Sequence, residues 1–358
     1  MPRRHQLSRP HRRRRNELLP AVGPIAAGRR CRLWGRLNTI ARVPTISSLT
    51  DKLAQRQGGI LLYGITPPKA SHSAEKIAEI ATLQMQRLDS LAEARLDGLV
   101  LYDTQDEAER TDLQRPFPFL ATVGPLRYAQ HDLAPLSLPK IVYRAVGKYA
   151  AADFEADLAR LGAGPAVFVG AASRQQAVQR CLKDAYSLRR SRQPALQLGG
   201  VAIPERHLTN QNEHLRMAAK VEEGCSFFIT QCVYHVEAAK NLLSDYFYAC
   251  EDSGQPIVPI ILTLTPCGSV KTLAFMKWLG ISMPRWLEND LARSGDVLQQ
   301  SLKACIDNFA ELLDYAQAKG IPLGCNVESV AIRREEIEAS LQLVRVVRSL
   351  FEAQRASY

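Results

Sequence analysis

The chain has 358 residues, 46% of them hydrophobic, and carries 46 basic against 36 acidic side chains for a formal charge of +10. That length and apolar content can bury a sizeable core, and no run reaches the roughly 18 consecutive apolar residues that a membrane-spanning helix needs. The charge excess does not mark a nucleic-acid binder: residues 1–50 hold 12 arginines, no lysine and one acid (Glu17), and the remaining 34 basic and 35 acidic residues nearly cancel.

From the amino terminus, "MPRRHQLSRPHRRRRNELLP" opens an Arg-rich, acid-poor stretch broken by Pro and Gly. Residues 1–48 are read as a disordered basic extension, with fold reasoning starting at Leu49. The expected compartment is the cytoplasm, or an organelle if this stretch is a transit peptide. The eight cysteines (31, 181, 225, 232, 250, 267, 305 and 325) form no C-x-x-C pair, so buried thiols in a reducing compartment are expected and no metal site is.

Short apolar runs then alternate with stretches of helical period. The candidate strands are 59–66 (GILLYGIT), 98–103 (GLVLYD), 140–146 (KIVYRAV), 166–172 (AVFVGAA), 198–205 (LGGVAIPE), 226–231 (SFFITQ), 256–265 (PIVPIILTLT) and 321–329 (IPLGCNVES). Most are continuously apolar, as strands covered on both faces must be. Between the first two, Ile77, Ile80, Leu83 and Leu88 fall along one helical face. The helix following residue 235 should end at Gly254. Residues 281–320 are long enough for extra helices, and a long amphipathic helix closes the chain. Eight strand-helix units over about 300 residues predict a single (β/α)8 TIM-type barrel, residues 49–358. An open doubly wound sheet is the alternative, disfavoured because no G-x-G-x-x-G follows the first strand.

In such a barrel, chemistry belongs to the carboxyl ends of the strands. At the fifth, Glu205, Arg206 and His207 follow one another, and alternation along a strand would let Glu205 and His207 face one mouth; an ion-paired loop is the plain alternative. Glu213, Arg216 and Lys220, at helical spacings of three and four, form either a solvated ion-paired face or a strip that holds a phosphate. Gln231 ends the sixth strand with an amide able to read the edge of a heterocycle. Asp103 ends the second and Glu328 the eighth, each a candidate acid if burial raises its pKa, or a solvated loop acid if not. No Ser-His-Asp order, P-loop, H-E-x-x-H or RNA-binding aromatic pair is present.

"PERH" at 204–207, "LRMAAKVEEG" at 215–224, "FFITQ" at 227–231 and "VPIILTLTPCGSVK" leading into "GISMPRWL" resemble, in this order, motifs of the methylenetetrahydrofolate reductase family. The resemblance implies a tetrahydrofolate derivative as partner and hydride transfer from NAD(P)H, reducing 5,10-methylenetetrahydrofolate to 5-methyltetrahydrofolate, with FAD as the cofactor of flavin-using members. It implies cofactor contacts for His207, Glu213, Arg216 and Lys220 and a substrate contact for Gln231. "ITPPK" resembles the family's first-strand ending, where a glutamate stands three residues before the first proline; here that residue is Gly64. The fourth-strand Leu-Arg-Gly-Asp of flavin-using members is replaced by Val169 to Ala172, with Arg174 nearby, which is compatible with direct hydride transfer without flavin. Glu205 or Asp103 is the expected substitute acid. The alternative is a folate-binding barrel that has lost reduction, as a methyl-transfer enzyme or a non-catalytic module. Neither nucleic acid nor membrane is an expected partner, and a homo-oligomer is compatible with the sequence.

Overall fold

The structure is a computed structural model that describes residues 47–106, 114–171 and 178–356. The basic extension up to residue 46, most of the acidic loop after Asp106, Ala172 and Arg174 lie outside the described residues. The unit Ile46–Tyr358 is compact.

Eight strands pair in parallel and in chain order: β1 Leu61–Ile65, β2 Gly98–Leu101, β3 Lys140–Ala145, β4 Pro165–Val169, β5 Gln197–Ala202, β6 Cys225–Cys232, β7 Ile260–Leu264 and β8 Leu323–Glu328. The pairing of β8 with β1 closes the barrel, so the TIM-type architecture expected from the apolar runs is the one observed. The helices are α1 Leu49–Ala54, α2 Ala74–Asp89, α3 Pro125–Arg127, α4 Ala151–Leu161, α5 Leu182–Arg192, α6 Pro204–Asn210, α7 Glu213–Glu222, α8 Val236–Ser253, α9 Val270–Trp278, α10 Arg285–Arg293, α11 Val297–Ala318 and α12 Arg334–Ala356. The two helices α10 and α11 account for the long stretch after residue 281.

Continuous apolarity reflects two separate cores. Inside the barrel, Leu62, Val100, Ile141, Val167, Phe227, Ile229 and Ile261 pack together with Leu49 and Leu53 of α1. The short helix α1 starts in a capping box formed by Ser48 and Asp51. It closes the amino-terminal end of the barrel: Leu49 abuts Gly98 at the start of β2, and Gln197 at the start of β5 donates to the Thr50 carbonyl. The outward faces of the strands form the larger core with the surrounding helices. The closed amino-terminal end leaves the carboxyl ends of the strands as the open face.

The differences from the sequence reading have local causes. Residues 256–259 do not join β7, because Pro256 and Pro259 have no N–H to give a ladder. On α2, Ile77, Ala81 and Leu88 are the buried residues, whereas Leu83 is 42% exposed. The α8 helix ends as expected at Gly254, whose φ of 68° suits the left-handed cap. The most consequential difference concerns β5. It stops at Ala202, and Pro204 opens α6 at its first turn, so Glu205 and His207 are helical residues. Two residues along a helix turn by about 200°, so the two side chains diverge.

No helix among the described residues is long and apolar enough to cross a membrane.

Candidate active site at the carboxyl ends of the strands

The floor of the open face is a buried polar cluster drawn from β2, β6, β7 and β8. Asn326 donates from Nδ2 to the Tyr102 hydroxyl at 2.8 Å and to Thr263 Oγ1 at 3.3 Å. The Tyr102 hydroxyl lies close enough to the Glu328 carboxyl to lower its pKa, and Cys232 Sγ donates to Glu328 Oε1 at 3.1 Å. Tyr143 packs edge-on against Tyr102, ring centres 5.0 Å apart. Glu328 keeps part of its surface accessible, yet the groups around its carboxyl bury it deeply. Burial pushes its pKa up, and the hydrogen bonds from Tyr102 and Cys232 pull only partly the other way. The Cys232 thiol is itself raised, by burial first and then by the negative charge of Glu328, which keeps it a donor.

Gly64 on β1 pairs in register with Glu328 on β8. A Cβ at position 64 would lie 3.1 Å from Glu328 Cβ, 2.9 Å from Tyr102 Cε2 and 3.0 Å from the Tyr102 hydroxyl. The space a side chain would need at position 64 is filled by Tyr102 and Glu328. Beyond Gly64, the Pro67-Pro68 turn is tied down by the segment after β2: Val123 N–H donates to the Pro68 carbonyl, and Lys69 bridges to Thr122.

A bulge decides the direction of Gln231. In β6, Ile229 pairs with Ile261, but it is Cys232, one residue later than expected, that pairs with Thr263. The extra residue swings the strand end, so that Cys232 meets Glu328 while Gln231 donates to the Leu279 carbonyl at 3.0 Å. Gln231 remains half-buried at the rim.

The remaining residues singled out from sequence are distributed as follows. Glu205 has both carboxyl oxygens buried without a hydrogen-bond partner of good geometry. Burial, opposed only by its own backbone N–H, pushes its pKa up to about 8, and its charge reaches Cys232 of the floor cluster. His207, one half-turn on, is 2% exposed and faces away, with Nε2 2.9 Å from Asp245 Oδ2 on α8. Glu213 is fully buried, accepts from the Ile203 N–H and pairs with Arg206 at 3.4 Å and Arg216 at 3.3 Å. Lys220 lies against Gly200 and Phe228 and donates to the Val201 carbonyl at 2.5 Å; burial lowers its pKa. Asp103 is almost fully buried but satisfied, accepting from Ala145 N–H (2.9 Å), Lys148 Nζ (2.9 Å) and the Tyr149 hydroxyl (2.8 Å). His207 is thus turned outward to α8 and shares no mouth with Glu205, while Asp103, Glu205 and Gln231 follow the carboxyl ends of β2, β5 and β6 with Asp103 already engaged by three donors. The floor is instead built from Tyr102, Cys232 and Glu328, of which only Glu328 was singled out from sequence as a candidate acid.

Two further features border the open face. A cavity of about 360 Å³ opens between the ends of β2 and β3, lined by Thr104, Gln105, Phe119, Gly147, Lys148 and Gln179 among others. Across the mouth, Arg115 lies 4.4 Å from the ring centre of Trp278 and 5.2 Å from that of Phe119, which ties the segment after β2 to α9.

Comparison with known proteins agrees with the barrel and narrows it. A family model described as methylenetetrahydrofolate reductase matches residues 172–339. A solved structure of a Clostridium thermocellum protein that binds two copies of 5-methyl-5,6,7,8-tetrahydrofolic acid is 47% identical, with 84% of this chain and 99% of that chain covered and a TM-score of 0.75. Dihydropteroate synthase of Xanthomonas albilineans is 14% identical over 86% of this chain and 97% of its own, with a TM-score of 0.42. No curated protein matches. The chain belongs to the methylenetetrahydrofolate reductase family.

Proposed function

We propose that this family member binds a reduced folate at the carboxyl ends of its strands and reduces 5,10-methylenetetrahydrofolate to 5-methyltetrahydrofolate with hydride from NAD(P)H. The 5-methyltetrahydrofolate bound by the 47% identical relative supports the ligand class. One observation carries the chemistry: Glu328 stands in register beside Gly64, its Cβ 3.1 Å from where a Cβ at position 64 would lie, so an acid side chain starts within one strand of the family glutamate's place.

In this reading the substitute acid is Glu328, not Asp103, whose oxygens are already held by three donors. Reduction needs a proton at N10, so that the bond from N10 to the bridging carbon breaks and leaves an iminium at N5; hydride then adds to that carbon and gives the N5-methyl group. A carboxyl whose pKa burial raises holds its proton more tightly than a solvated one and can supply it here, and the Cys232 thiol donates to the carboxylate left behind. Glu205 is a second buried carboxyl after β5, and Gln231, half-buried with its Nε2 on the Leu279 carbonyl, keeps its amide oxygen for the pterin or nicotinamide.

The described residues do not fit a flavin in the way the resemblance implies. Of its cofactor contacts, Glu213 and Arg216 pair with each other, Lys220 is engaged by a strand carbonyl and His207 by Asp245. No step is assigned to FAD, and hydride passes directly from the nicotinamide.

The test is NAD(P)H oxidation with and without 5,10-methylenetetrahydrofolate, alongside calorimetric binding of 5-methyltetrahydrofolate. Wild-type protein should bind the methyl folate and consume NADH or NADPH only with substrate. Glu328→Gln should lower turnover by about 10² to 10⁴-fold and change binding far less. Binding without oxidation of either donor would refute reduction and leave methyl transfer or a non-catalytic folate-binding barrel.

A further inference from the structure

We infer that His207, His214 and Asp245 form a binding site for a divalent transition-metal ion of the zinc class, on the outer side of the barrel between α6, α7 and α8. The ligand atoms these three residues can offer all lie within 4.8 Å of one another. His207 Nε2 and Asp245 Oδ2 are 2.9 Å apart, and two ligands of a tetrahedral ion over bonds of about 2.1 Å stand about 3.4 Å apart, so the pair needs to open by only about half an ångström to admit one. The two imidazoles stand perpendicular, ring centres 5.2 Å apart and planes at 88°, an arrangement in which nitrogens of both rings can aim at one point.

The local chemistry favours a cation over a plain hydrogen bond. His207 turns Nε2 to Asp245, and His214 Nδ1 beside them is buried and lacks a hydrogen-bond partner, so the fold leaves unpaired a nitrogen that a cation would satisfy. Two imidazoles and one carboxylate are a borderline N/O donor set that suits zinc, cobalt or nickel more than calcium or magnesium. Three protein ligands leave coordination positions for water. The adjoining cavity of about 370 Å³, which His207 and Asp245 line together with Asn241 and Ser244, provides both room and a path of entry. The carboxylate of Asp245 is 51% exposed, so the site is reached from solvent.

Sequence gave no sign of it, since His207 and His214 sit on two different helices and Asp245 lies 31 residues further on a third. The expectation of no metal, drawn from cysteine spacing alone, does not bear on this triad. Because α6 turns His207 away from Glu205, the site stands apart from the floor cluster and its test does not depend on turnover.

Full-length protein is titrated with zinc chloride against a chromophoric chelator, and with cobalt chloride for its visible spectrum. The wild type should take up one ion with high affinity, and the cobalt form should show d–d bands without thiolate charge transfer. His214→Ala and Asp245→Asn, both at partly exposed positions and so compatible with folding, should each weaken uptake at least about 100-fold. Uptake that is absent, equal in all three proteins, or accompanied by thiolate charge transfer would overturn the inference.

Discussion

The tight fit around Gly64 makes a quantitative prediction. In Gly64→Ala the new methyl would lie 2.9 Å and 3.0 Å from two atoms of Tyr102 and 3.1 Å from Glu328 Cβ, all closer than ordinary carbon contacts of about 3.5–4.0 Å. Neither neighbour is a loose chain end: Tyr102 is held by Asn326, and Glu328 by Cys232. Forcing a methyl into such a site costs about 1–3 kcal/mol, measurable as a lowered urea midpoint with unchanged slope. Removing the ring relieves the clash, so in a Tyr102→Ala background the same substitution should cost less than half as much, a coupling of roughly 0.5–2 kcal/mol. Equal costs in the two backgrounds would refute the claim that Tyr102 and Glu328 fill the place of the first-strand side chain. The same geometry bears on Gly64→Glu: the new side chain meets Tyr102 and Glu328 at its first carbon, and it adds a second carboxyl to a site that already disfavours the charge of the first. Restoring the glutamate without removing Glu328 should therefore lower stability and bring no gain in reduction.

Two more predictions follow from the carboxyls of the open face. Because burial raises the pKa of Glu328 in the fold, the folded state holds its proton to higher pH than the unfolded chain does. The stabilisation from this group is complete below the usual carboxylate range and is lost as pH rises through the folded value. Urea unfolding of wild type and Glu328→Gln from pH 5 to pH 8 should show the variant losing less stability with pH, and parallel curves would be the contrary result. Asp103→Ala would strand the Ala145 N–H, the Lys148 ammonium and the Tyr149 hydroxyl, at a cost of about 2–5 kcal/mol. A loss below 1 kcal/mol in thermal or urea unfolding would mean that those donors find water instead.

The barrel was legible because its signal is repeated: eight apolar runs fell within a few residues of eight strands, and the misses came where proline removed a ladder donor, at 256–259 and at Pro204. The site was legible only in part. Alternation along a strand placed Glu205 and His207 together, and half a turn of helix set them on opposite sides. A bulge moved Gln231 aside and turned Cys232 inward, and nothing in "FFITQC" announces that extra residue. Tyr102, Cys232, Asn326 and Glu328 come from three strands spread over more than 200 residues, and only the closed ring brings them into contact.

The first-strand position shows why motif comparison alone misjudges such a site. Compared residue by residue, Gly64 is a lost acid, because the position holds no side chain. In the closed barrel β8 lies beside β1, and Gly64 is directly opposite Glu328. On the proposed reading, the carboxyl one strand over, starting from a Cβ 3.1 Å from the empty one, takes over the role of the missing acid. The glycine is then a requirement of the exchange, since any side chain at 64 would displace Tyr102 and Glu328, which crowd that position. On this reading the glycine and the eighth-strand glutamate are one feature: substituting either alone breaks the site. The exchange Gly64→Glu with Glu328→Gly, made alongside a smaller residue at 102, is the combination that should recover a carboxyl at the mouth.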